Sequence, residues 1–256
     1  MDEGDLSYER CAAEFAAETA RLGAAVTALE PDALVPTCPE WTVRDLVGHV
    51  GAGHRWSAGI VEDRLAAPPP LMRADPPADQ DAWPGWLRDG ADRLAAAVRA
   101  AGSEAPVWTW RAPHNAGFWL RKMLHDEVVH RADVELAAGM PFAVAGDVAT
   151  DGISDFLDTV AALSRSDAED PIFTGLTALG ATLHLHGTDG EPDSEWLVEA
   201  TPEGVTWRHG HAKADVAVRG PAPDLLLVMN RRLPPSAVEV IGDRDLLARW
   251  LDHSRF

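Results

Sequence analysis

The sequence has little sulfur, little tyrosine and few positive charges. Two cysteines, Cys11 and Cys38, stand in 256 residues, too few for the disulfide framework of a small secreted domain. Tyrosine occurs once, against ten tryptophans and six phenylalanines. Lys and Arg total 22 against 41 Asp and Glu, a formal net charge of −19. A surface that acidic repels phosphate backbones and anionic headgroups, which argues against nucleic-acid and membrane partners. No run reaches the roughly 18 consecutive apolar residues of a membrane span. The opening MDEGDLSYERC lacks the basic-then-apolar order of a signal peptide. A cytoplasmic location is therefore expected. What is present is ordinary for a globular protein: 46% of residues are hydrophobic and 25% charged. That suffices to bury a core, in one large domain or two small ones.

Hydrophobic spacing predicts a helix over residues 6–29, with Cys11, Phe15, Leu22, Val26 and Leu29 on one face. Pro31 to Pro39 breaks it. Thr42-Val43-Arg44-Asp45 fits a capping box, which starts a second helix running to about Leu65. Its stripe is Leu46, His49, Val50, Gly53, Trp56 and Ile60. Five prolines make residues 66–77 a long loop. A third helix is predicted over about Trp83–Ala101, and a fourth over about Gly117–Ala138, closed by Gly139 with Pro141 beyond. A fifth occupies about Thr150–Ser164. After residue 170 alternation takes over, at Ala181–His186, Glu195–Glu199, Val205–Arg208, Ala214–Arg219 and Val238–Ile241. Thr201-Pro202-Glu203-Gly204 is a hairpin signal. Asp224–Asn230 and Arg244–His253 read as short helices. The fold class expected is α+β: a helical bundle over residues 1–165, then a small domain over residues 172–256 on a mostly antiparallel sheet.

The residues that point to chemistry lie on the fourth helix, in His125-Asp126-Glu127-Val128-Val129-His130. Asp126 and His130 are four apart, so both side chains lie on one helix face. Trp119, Met123 and Val134 share that face, which directs the pair toward the bundle interior. A carboxylate there is costly unless it is paired or holds a metal. Glu127 and His125 project elsewhere, toward an edge or the solvent. His49 lies on the apolar stripe of the second helix among Gly48, Gly51 and Gly53, which permit close approach of a helix or ligand. An antiparallel arrangement would bring His49 opposite Asp126 and His130. Three protein ligands with open positions is a catalytic metal arrangement, with zinc the first expectation.

Plainer readings compete at each position. A buried histidine is more often hydrogen-bonded core than ligand, and Asp126 with His130 makes an ordinary buried ion pair. Tryptophans at 41, 56, 108, 110 and 119 are more often core than pocket. His54 and His114 default to surface or loop. His184 and His186 alternate on a strand and share one side, expected to be exposed. Cys38 reads as packed, not nucleophilic.

The segment Cys38-Pro39-Glu40-Trp41-Thr42-Val43-Arg44-Asp45-Leu46-Val47-Gly48-His49-Val50 resembles the second-helix signature of the mycothiol-dependent maleylpyruvate isomerase family. Phe118-Trp119-Leu120-Arg121-Lys122-Met123-Leu124-His125-Asp126-Glu127-Val128-Val129-His130-Arg131 resembles that family's metal-binding helix. The stretch from Thr182-Leu183-His184-Leu185 through Val238-Glu239-Val240-Ile241-Gly242-Asp243 is similar to its C-terminal domain. The resemblance implies a DinB-like four-helix bundle followed by an α+β domain akin to sterol-carrier proteins. It implies a divalent metal, typically zinc, held at His49, Asp126 and His130. The family usually has glutamate where this chain has Asp126, one methylene shorter. It also implies an arginine of the C-terminal domain at the site, for which Arg231 and Arg232 are both candidates.

The resemblance further implies mycothiol as a low-molecular-weight thiol cosubstrate. A thiol is mostly protonated at neutral pH, and coordination to a divalent cation deprotonates it. The thiolate then attacks an electrophilic small molecule. Addition, rotation and expulsion give cis–trans isomerisation; attack without expulsion gives an S-conjugate. The same motif serves isomerase and transferase. A non-enzymatic metal or small-ligand binding protein, and a metal-dependent hydrolase, are the alternatives. A monomer or small homo-oligomer is expected.

Overall fold

A computed structural model describes residues 6–71, 74–165 and 175–254. Met72 and Arg73 of the predicted proline-rich loop, and residues 1–5 of the chain's opening, lie outside the described residues. The described residues divide into two compact units, one within residues 6–142 and one within residues 143–254.

The first unit is a bundle of four helices: α1 (Tyr8–Val26), α2 (Val43–Glu62), α3 (Trp83–Ala101) and α4 (Ala116–Ala137). Each start has a local cause. Ser7 caps α1 by accepting from Arg10 N, and Asn115 caps α4 by accepting from Phe118 N. The capping box at Thr42 and Asp45 is present in both directions. Gly139, at φ +66°, follows the end of α4 in the left-handed conformation that only glycine adopts without strain. Most of the predicted stripes are buried, with Phe15, Leu22 and Val26 on α1, Leu46, Val50 and Ile60 on α2, and Trp83, Leu87, Leu94 and Val98 on α3, while Leu29, Gly53 and Trp56 are half-buried and His49 is exposed. The segment read as a helix breaker also forms a two-stranded antiparallel ribbon, β1 (Leu34–Val35) and β2 (Cys38–Thr42), leading directly into α2.

Helix α4 packs against α1, α2 and α3, so its flanks are buried as well as its apolar stripe. This corrects the expectation for Glu127 and His125, which are 0% and 4% exposed. It also corrects His54, which is buried and lies 2.7 Å from Glu127 through its Nε2. The Arg131 guanidinium donates through Nε to Glu18 of α1 and through Nη1 to Glu135 of its own helix at 2.7 Å. Buried charges of this kind persist because they are paired.

The second unit contains α5 (Gly146–Leu163), strands β3 (Thr182–Gly187), β4 (Glu195–Thr201), β5 (Gly204–His209), β6 (Val216–Gly220) and β7 (Glu239–Gly242), and helices α6 (Ala222–Met229) and α7 (Arg244–Asp252). The sheet order is β5-β4-β3-β6-β7. Only β3 and β6 pair in parallel; the other neighbours are antiparallel. The hairpin turn between β4 and β5 uses Gly204 at φ +128°.

The change of sequence period near residue 170 groups the fifth helix with the bundle, with a boundary between 165 and 172. The structure puts it in the second unit, where it lies against β5 and α6. Ser154 Oγ accepts from Trp196 Nε1 at 3.0 Å, and Asp158 accepts from Trp207 Nε1 at 3.0 Å. Ser164 Oγ accepts from Val205 N at 2.9 Å. A helix period alone cannot say which neighbour receives the apolar face, and here that neighbour comes later in the chain.

Candidate metal centre

His49 sits in the second turn of α2, and Asp126 and His130 on consecutive turns of α4. His49 Nε2 lies 3.8 Å from Asp126 Oδ2, and His130 Nε2 lies 3.9 Å from Asp126 Oδ1. The two imidazole centroids are 5.0 Å apart. One ligand atom from each residue lies within 4.8 Å of the others. Ligands about 2.0–2.1 Å from a shared ion stand roughly 3.0–3.4 Å from one another. A small inward shift of three side chains therefore meets the requirement.

Helix α2 approaches α4 closely at Gly53. A Cβ on Gly53 would stand 3.3 Å from Met123 Sδ, one turn from Asp126. On the α3 side, a Cβ on Gly51 would fall 2.0 Å from the Trp86 ring. Gly48 lies against the proline-rich loop, at Ala74 O and Pro76.

The site is not sealed. The side chains of His49, Asp126 and His130 are 46%, 27% and 9% exposed. The interior direction expected from the helix stripe holds for His130, while His49 lies at the margin where a ligand from solvent can reach it. Burial pushes the His49 imidazole below its usual range, against the pull of Asp126. Burial works against the Asp126 charge, but His130 and then His49 hold that carboxyl below the usual carboxylate range.

Behind His130 stands a group that the sequence reading did not single out. His130 Nδ1 lies 2.9 Å from Asp133 Oδ2, whose residue is fully buried. Thr37 donates to Asp133 Oδ1 at 2.5 Å, and Cys38 Sγ donates to Oδ2 at 3.6 Å. A carboxylate accepting from Nδ1 fixes the tautomer that leaves the Nε2 lone pair toward Asp126. The signal was in the spacing: Asp126, His130 and Asp133 fall at i, i+4 and i+7. Cys38, His130 and Asp133 also make a possible ligand group. Its sulfur and carboxylate already bond to one another, so the open-faced group with His49 is better suited to hold an ion.

Trp41, from β2, stacks at a tilt on both imidazoles, with its ring 4.7 Å from His49 and 5.7 Å from His130. Two turns further along α2, and two turns back along α4, Trp56 and Trp119 meet edge to face at 5.2 Å. Trp108 joins both at 5.7 Å. His114 is in a loop and exposed, as expected. Arg231, exposed at φ 63°, and Arg232, half-buried with Nη1 on Asn230 O at 2.8 Å, follow α6 in the second unit.

Comparisons with known proteins agree with this architecture. Residues 12–135 match the mycothiol maleylpyruvate isomerase N-terminal domain, and residues 147–249 match the C-terminal domain of the same family. The crystal structure of the mycothiol-dependent maleylpyruvate isomerase superposes with a TM-score of 0.60 at 14% identity, over 92% of this chain and 93% of that one. A histidine-to-alanine mutant of that enzyme superposes with a TM-score of 0.58 at 13% identity, with the same coverage. These likenesses establish a shared fold. No curated protein sequence matches. Among the described residues, no helix is long and apolar enough to cross a membrane. With both family domains matched in order along one polypeptide, the chain belongs to the mycothiol maleylpyruvate isomerase family of enzymes.

Proposed function

We propose that this chain is a divalent-metal-dependent enzyme that uses mycothiol to attack an electrophilic small molecule. The observation that carries the reading is the convergence of His49, Asp126 and His130 from two helices, half-open to solvent. Two nitrogens and one oxygen suit zinc and leave positions free for a further ligand. A divalent ion held there supplies Lewis acidity that lowers the pKa of an incoming thiol.

The chain's own residues do the rest. Asp133 keeps the His130 Nε2 lone pair directed inward. Trp41 covers the two imidazoles on one side. Trp56 and Trp119, two turns away along the same helix faces, and Trp108 from the loop before α4 offer an apolar wall. The cosubstrate's thiolate forms a C–S bond to one carbon of an activated double bond, and the electron pair moves onto the conjugated carbonyl. Rotation about the resulting single bond, return of the electron pair and cleavage of the C–S bond give the trans isomer and release the thiolate. With an electrophile that cannot expel sulfur, the same attack ends as an S-conjugate. Family membership favours the isomerase, and maleylpyruvate is the first substrate to test. The family resemblance also calls for an arginine, and an arginine would orient a substrate carboxylate. Arg231→Ala and Arg232→Ala identify it as the variant that loses turnover while retaining metal.

The experiment is mycothiol-dependent isomerisation of maleylpyruvate by the full chain, as purified, after chelation, and after zinc is restored. Loss on chelation and recovery with zinc support the reading. Turnover that survives complete metal removal, or cleavage of esters without any thiol, overturns it. His49→Ala and Asp126→Ala should each lose metal and activity while keeping the helical circular-dichroism signal.

A further inference from the structure

His184, His186 and Glu195 were left without a role by the bundle site, and the fold brings a third imidazole to them. His184 and His186 are two apart on β3, so both side chains leave the same face of the sheet. Glu195 pairs directly with His186 across the β3–β4 ladder, which sets it on that face too, diagonal to His184. Leu183, Leu185 and Trp196 occupy the other face, where Trp196 bonds to Ser154 of α5. After β5 the chain turns at Gly210, at φ +132°, whose N donates to Glu195 O at 3.0 Å. That turn delivers His211 to the same carboxylate.

The resulting cluster is tight. Glu195 Oε2 lies 2.7 Å from His211 Nδ1 and 3.2 Å from His184 Nε2, and Oε1 lies 3.1 Å from His186 Nδ1. The ring centroids are 4.9 Å apart for His184 and His211, 5.9 Å for His184 and His186, and 6.0 Å for His186 and His211. One ligand atom from each of the four residues lies within 4.8 Å of every other. The four donors of a tetrahedral zinc site stand about 3.4 Å apart at bond lengths near 2.0–2.1 Å. Burial is graded, from His184 inside to His211 exposed, so an ion can enter from solvent. Two cationic side chains share that face: Arg219, in register with His186 on β6 and engaged by Glu239 at 3.2 Å, and Arg208 on β5, in register with Leu197, whose Nη1 donates to His209 O at 3.4 Å.

We propose that His184, His186, Glu195 and His211 form a second divalent-metal site, in the C-terminal unit, that takes zinc or a similar late first-row ion. Three imidazoles and one carboxylate fill a tetrahedral shell, which is the arrangement of a structural site. The ion would fasten the β3–β4 pair to the segment after β5. This inference does not rest on the bundle site, and metal counting separates the two.

The test is zinc binding to the metal-free full chain by equilibrium dialysis with elemental analysis. The unsubstituted chain is expected to hold two equivalents. His49→Ala with Asp126→Ala should retain one. His186→Ala with His211→Ala, at partly and largely exposed positions, should also retain one. All four substitutions together should retain none. Cobalt(II) bound to the His49→Ala, Asp126→Ala chain should show the intense visible bands of tetrahedral coordination, lost on His211→Ala. Zinc should raise the melting temperature of that double variant, and should cease to do so after His211→Ala. The proposal is overturned if His49→Ala with Asp126→Ala abolishes all zinc binding while the C-terminal unit stays folded. It is equally overturned if His186→Ala with His211→Ala leaves the zinc stoichiometry and the cobalt spectrum unchanged.

Discussion

Asp133 acts through another side chain. It bonds the back of His130 from a fully buried position and is itself held by Thr37 and Cys38. Asp133→Asn keeps the shape but loosens the hold on the tautomer. Zinc affinity at the bundle site should fall about 10- to 100-fold, as measured by competition with a chromophoric chelator, with no loss of helix content. Glu127, one residue from Asp126 in sequence, gives the opposite pattern. Its partner is the buried His54, so Glu127→Ala leaves a buried imidazole nitrogen without its hydrogen bond and should cost about 1–3 kcal/mol in urea unfolding. Metal binding in the folded fraction should persist. The sequence distinguished these neighbours by spacing, since four residues before His130 is a ligand-compatible offset and three is less suited. It did not reveal that Glu127 and His54 are buried partners, because the two residues are 73 apart in the chain and on different helices. Nor did strand alternation alone expose the His184 cluster, since His211 reaches it only through the turn after β5.

At the scale of elements, the start of α2 sets the position of His49. Thr42→Ala removes one half of the capping box and should destabilise the folded chain by about 1 kcal/mol. Asp45 supplies the other half, and hydrogen bonds from the Thr42 side chain and backbone hold its carboxyl below the usual range. Such a depressed acid adds stability above the unfolded-state pKa. That contribution disappears as pH falls through the lower, folded-state pKa. The stability gap between the chain and Asp45→Ala should therefore be full at neutral pH and close under acid conditions in thermal melts. Gly51 fixes how near α3 can lie. Gly51→Ala drives a Cβ into the Trp86 ring and should cost about 1–3 kcal/mol of stability by overpacking. Most helices were legible within a few residues because caps, prolines and a 3.6-residue period all act locally. The ribbon of β1 and β2 was not, since two short strands flanking proline and polar residues carry no period.

Across the whole molecule, the informative departure is the fifth helix. Its apolar face was readable, but the partner was not, because β5 and α6 lie far ahead in the chain. The bonds from Trp196, Trp207 and Val205 to α5 assign it to the C-terminal unit. A fragment beginning at residue 143 should fold cooperatively. One beginning at residue 172 should expose the apolar sheet face that α5 covers, bind a hydrophobic dye and aggregate. Equal melting behaviour of the two fragments in differential scanning calorimetry would contradict that assignment. The order of bundle and sheet was legible from the change of period near residue 170, which reflects how each element buries apolar surface.

The central claim is that His49, Asp126 and His130 hold an ion whose open position accepts the sulfur of a small thiol. Zinc-edge X-ray absorption on the full chain carrying His186→Ala and His211→Ala tests it directly, before and after mycothiol is added. The account predicts nitrogen and oxygen neighbours alone at first, then a sulfur neighbour at about 2.3 Å once the thiol is present. An unchanged shell of light atoms at saturating mycothiol would contradict it.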